Sequence, residues 1–147
     1  MYGTVLVMAT ITAAYATERD PARLAEIVIA TNVVLWVAHL HAHGIGESIE
    51  LGRRMGSVDI RRIAVREFGI VGTAALPCFA LMLGASGALS ESASVWIALV
   101  IGLLTLGAEG VRYARMQRLG AAATAGAVAI NLAFGIAVVA LKVAIYH

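Results

Sequence analysis

The chain has one cysteine, two prolines, 6% aromatic residues and only 14% charged residues. With Cys78 alone, no intrachain disulfide and no cysteine-based zinc or iron–sulfur centre can form within one protomer. So little charge excludes an ordinary soluble domain, in which about a quarter of the residues are charged and about half are apolar. Here 61% of 147 residues are apolar. The net charge is +2, and no basic run alternates with aromatics, which argues against a nucleic-acid partner. GxxxxGK[ST], GxGxxG, HExxH and GxSxG motifs are all missing. Without a nucleophile–base pair or a complete metal-catalytic motif, the expectation is that the protein is not an enzyme.

What the sequence does contain is apolar length. Charged residues are confined to short blocks that separate five charge-free windows: Met1–Thr17, Ile27–Gly46, Phe68–Ser90, Ser92–Ala108 and Leu119–Leu141. A membrane-crossing helix needs ~20 mostly apolar residues, so the last four windows read as spans and the first falls short. The expected fold is all-α: one integral membrane helical bundle over 1–147, with four transmembrane helices and a short N-terminal apolar helix. The expected segments are 1–17, 21–56, 58–84, 90–117 and 119–146. Ala14-Tyr15-Ala16 resembles a signal-peptidase site, but the basic region that precedes such cores is missing, so the segment is expected to stay. It reads equally as a short tilted span and as an interfacial helix.

Local signals set the boundaries. Asp20-Pro21 is a helix start, with an acidic cap and proline where its missing N–H does no harm. Ser57 and Ser90 are expected caps, and Pro77 is expected to kink its helix. Counting Lys and Arg alone, the connections at 47–67 and 109–119 are basic, whereas the turn at 84–92 has none. The positive-inside bias therefore predicts a cytoplasmic (inner) membrane protein with both basic connections cytoplasmic and the C-terminus outside.

The candidate site lies in WVAHLHAHGIGESIE. At 3.6 residues per turn His39 and His43 share one face, and the stripe continues to Glu47, Glu50 and Arg54 and back to Asn32. His41 points nearly opposite. Two imidazoles and a carboxylate at i, i+4, i+8 suit one divalent cation. Alternating topology brings Glu67 and Glu109 to the same depth, so His39, His43, Glu47, Glu67 and Glu109 are expected to converge. Ionisable groups near hydrocarbon mark sites when they face the bundle interior. An equally simple expectation is a set of exposed ion pairs at the interface. Haem is an option only if two protomers each donate a histidine, because all three membrane histidines are on one helix.

The last helix opens GAAATAGAVA, nine of ten residues being Gly, Ala or Thr. Such faces let helices approach closely in lipid, so Ala123 and Ala127 are expected at a packing surface, within the bundle or between copies in a homo-oligomer. Asn131, in mid-helix, is expected to hydrogen-bond across an interface. The MYGT start, Trp36, Ala38, His39 and Ala42 in W-x-A-H-x-x-A, the GALS and VWIA elements at 87–98 and the closing VVALK together resemble small actinobacterial-type integral membrane proteins. That resemblance covers most of the chain and implies a helical inner-membrane fold without implying an activity. Two functions are expected: a channel or transporter whose His/Glu cluster binds a cation or relays protons, or a non-transporting scaffold or accessory subunit that docks a membrane-protein partner through the last helix.

Overall fold

A computed structural model describes residues 2–145, with the side chains of 141–143 and Ile145 also outside the description. The described residues form seven helices and no strand: α1 (Tyr2–Ala14), α2 (Pro21–Leu51), α3 (Ser57–Glu67), α4 (Gly69–Gly72), α5 (Ala75–Ala85), α6 (Glu91–Met116) and α7 (Ala121–Ile145). The expected end of the last helix at Tyr146, and the C-terminus itself, lie outside the described residues. Three helices are long and apolar enough to cross a membrane: α2, α6 and the Ala121–Ala140 part of α7.

The expected fourth span, 58–84, is not one helix. Ser57–Gly72 and Ala75–Ala85 are bent against each other by 44°. Proline explains where. Pro77 has no N–H for the carbonyl four residues earlier, and its ring crowds that carbonyl. The carbonyl belongs to Thr73, and the break falls at Thr73–Ala74, one turn before the proline.

Other boundaries follow local chemistry. The Asp20 carboxylate accepts from Ala22 N at 2.9 Å, a cap worth about 1 kcal/mol. The second helix stops at Leu51, short of the expected 56, because Gly52 takes the left-handed conformation (φ 60°) that closes a helix. Ser57 is not the cap of α3. Gly56 holds that position, and Asp59 Oδ2 reaches back to accept from Gly56 N (3.0 Å) and from Arg53 Nη1 (2.8 Å). Ser90 caps α6 as expected, accepting from Ala93 N at 3.2 Å. Arg118 sits in the left-handed region (φ 52°) after α6, where Leu119 N donates to Ala114 O.

The N-terminal helix is the least expected part of the architecture. Instead of lying at the edge, α1 packs against α2, α4, α6 and α7, and Val7, Met8 and Ile11 have no exposed surface. Close approach makes this possible. A Cβ on Gly102 of α6 would come within 2.5 Å of Met8 Cγ, and one on Gly135 of α7 within 2.5 Å of Leu103 Cδ2. Absent side chains at these crossings let the backbones approach, the mode of association available to helices surrounded by lipid. Toward its C-terminal end α2 continues beyond this core alongside α3, and Ile63 is the one fully buried residue of α3.

Candidate functional site

Where α1, α2, α3–α4 and α6 meet, a cleft of about 570 Å³ opens. His39 enters it from α2, Arg66 and Glu67 from α3, Thr73 from the break before α5, Thr105, Glu109 and Arg112 from α6, and Tyr2 from α1. The convergence expected of His39, Glu67 and Glu109 is therefore present. It arises because α2 runs antiparallel to α1 and to the α3–α5 strut, and α6 antiparallel to that strut. Their polar ends then share one end of the bundle.

Inside the cleft the histidine is oriented by its own helix. His39 Nδ1 lies 3.1 Å from Leu35 O, and His43 Nδ1 3.1 Å from His39 O. A carbonyl only accepts, so each Nδ1 donates, and in the neutral ring Nε2 is left to take a proton. The Tyr2 ring packs on His39 with centroids 5.3 Å apart. Thr4 Oγ1, almost fully buried, donates to Glu109 Oε1 at 3.2 Å, which fixes that carboxylate against α1. Arg66 Nε donates to Glu67 Oε1 at 3.2 Å.

His43 and Glu47 do not join this group. They line a separate recess of about 410 Å³ with Glu50, and Glu47 pairs with Arg66 Nη1 at 3.8 Å. Arg66 thus stands between the two recesses, a pairing of partly exposed groups worth about 0–1 kcal/mol. The three-ligand metal arrangement expected of His39, His43 and Glu47 is not formed: among the described residues no three His, Cys, Asp or Glu side chains are close enough to hold an ion. The physical reason is local. Each Nδ1 is committed to a backbone carbonyl, and Glu47 turns toward an arginine, which leaves no third ligand beside the two rings.

The remaining expected residues divide by helix rotation. Asn32 is fully buried and donates to Val28 O of its own helix at 2.8 Å, so it lines neither recess. Asn131 makes the expected bond across helices, donating to Leu106 O at 3.3 Å. Ala127 is half-buried where α7 crosses Gly110, whereas Ala123 is exposed. Sequence reasoning missed Tyr2, Thr4, Thr73 and Thr105. Thr4 and Thr105 are single hydroxyls in apolar runs, and only the central placement of α1 makes Thr4 a partner of Glu109. Trp36 packs between helices: its Nε1 donates to Ala64 O at 3.2 Å and its ring meets Phe68 edge-on at 6.1 Å, tying α2 to the end of α3.

No family profile matches the chain, and no curated protein or solved structure is significantly similar to it.

Proposed function

We propose that the chain is a small multi-pass protein of the cytoplasmic membrane, channel- or transporter-like, whose cleft takes up and passes on protons. In this reading α2, the bent α3–α5 pair, α6 and α7 make four crossings. The 47–67 and 109–119 connections face the cytoplasm and the C-terminus lies outside. The resemblance to small actinobacterial-type integral membrane proteins accords with this placement.

One observation carries the reading: three proton-exchanging side chains from three helices, His39, Glu67 and Glu109, line one cleft at the arginine-rich end. Such groups at membrane depth are costly unless they serve a pathway. A proton suits the cleft better than a divalent ion. Arg66 and Arg112 balance its two carboxylates, and a proton needs one lone pair where a metal needs a ligand set.

The test is proton entry into liposomes loaded with a pH-sensitive dye, driven by a potassium diffusion potential. Wild-type protein should exceed protein-free liposomes, and His39→Ala and Glu109→Gln should each return the rate to the protein-free level. Flux that neither substitution alters would overturn the reading.

A second reading rests on α7. Ala123 is exposed, nothing lies within 4 Å of a Cβ placed on Gly126, and Ile130 on the same helix is 61% exposed, an open small-residue face. A homo-oligomer or an accessory-subunit contact would use that face. Ala123→Leu should then dissociate a detergent-stable complex, whereas Ala127→Leu would also disturb the bundle itself.

A further inference from the structure

On the side of α2 away from the cleft lies a third cavity, a groove of about 630 Å³ between the outer half of α2 and α3. Its α2 wall is Val37, Leu40, Ile45 and Ile49, and Ile60 closes it from α3. These side chains are not covered by protein: Ile49 is 75% exposed and Val37 and Ile45 are each 51% exposed. A contiguous apolar surface of this kind asks for an apolar occupant.

The groove ends at a cation. Arg54 lines the groove from the turn between α2 and α3, and not from the His39 stripe it was expected to continue, because the helix stops at Leu51 and Gly52 turns the chain away. Neighbouring arginines are already engaged: Arg53 with Asp59 at 2.8 Å, and Arg66 with Glu67 and Glu47. Arg54 makes no ion pair among the described residues. An apolar channel that leads to one uncommitted guanidinium, set among further arginines, complements a molecule with a hydrocarbon chain and a net negative head.

We propose that this groove binds one anionic phospholipid, with an acyl chain along the α2 stripe and the phosphate on the Arg54 guanidinium. The site needs the membrane placement argued above but not the proton reading, since it shares no residue with the cleft. It also gives His41, the histidine that faces away from the His39 stripe, a place on the groove wall.

Native mass spectrometry of detergent-extracted protein, with phosphatidylglycerol or phosphatidylcholine added, tests this directly. Wild-type chain should retain one phosphatidylglycerol in preference to phosphatidylcholine. Arg54→Gln should lower phosphatidylglycerol retention roughly fivefold, as expected for one arginine at an anionic lipid head. Gly44→Leu should lower retention of both lipids by filling the groove. A Cβ there meets only Met55 Sδ at 3.7 Å, so the added side chain is tolerated. Equal retention of the two lipids, unaltered by Arg54→Gln, would overturn the proposal. So would displacement of the lipid by inorganic phosphate, which would mark a simple anion site. Disulfide-linked dimers forming in high yield through Ile45→Cys would overturn it as well, because a second copy would then cover the groove. Failure of the protein to partition into the detergent-extracted membrane fraction would instead defeat the membrane placement.

Discussion

The inner bundle and the outer α2–α3 hairpin differ in composition, α1 carrying no charged residue and α3 five in eleven, and they are held by different forces. In the bundle, α1 is wrapped by four helices and glycines mark the crossings with α6 and α7. In the hairpin, Ile63 is the one fully buried residue of α3, and its turn is fixed by the Gly56–Asp59–Arg53 hydrogen bonds and by Arg66. The lesson is that apolar content does not by itself make a core. Val58 and Val65 of α3 are each 70% exposed, while Thr4 and Asn32 are buried inside the bundle. The candidate cleft lies at the seam, taking His39 and Glu67 from the hairpin side and Glu109 from the bundle.

The contrast can be broken most sharply at glycine. Gly102→Leu should cost about 3 kcal/mol, at the upper end for overpacking, since even its Cβ meets Met8 Cγ at 2.5 Å. Unfolding of detergent-solubilised protein followed by circular dichroism gives that value. The bond that joins the two regions comes next. Trp36→Phe removes the donor to Ala64 O and should destabilise by about 1 kcal/mol, with faster amide exchange confined to α3. A change of opposite sign is expected in the hairpin: Gly46→Ala should stabilise by roughly 0.5 kcal/mol through helix propensity alone, as nothing lies within 4 Å of the added methyl. Smallest of all, Arg66→Gln should cost no more than about 0.5 kcal/mol of stability, and less in high salt, because the arginine side chain itself is more than half exposed. If Gly46→Ala proved as damaging as Gly102→Leu, the division into two regions would fail.

Much of this was legible in the sequence. Charge-free windows located the long helices, and Asp20-Pro21 and Ser90 fixed two starts by chemistry that acts within four residues. The convergence of His39, Glu67 and Glu109 at one end of the bundle followed from alternation of chain direction, which needs no knowledge of packing. Helix rotation was not legible. Glu47 follows the histidine spacing faithfully yet turns to Arg66, a residue distant in sequence. Nor was the place of α1, because a helix apolar on every side carries no pattern that distinguishes an edge from a centre. The break before Pro77 was half legible: the proline announced a kink, and only the three-dimensional path assigned it to Thr73.

That break has a spatial consequence. Thr73 belongs both to the joint and to the wall of the cleft. Ser57–Gly72, roughly 24 Å long at ~1.5 Å per residue, therefore links the wall of the cleft to the turn between α2 and α3. The far end adjoins Arg54 and the mouth of the outer groove. One stretch of helix thus carries Glu67 to the cleft and Ile60 to the groove, so the two cavities share a wall element without sharing a residue.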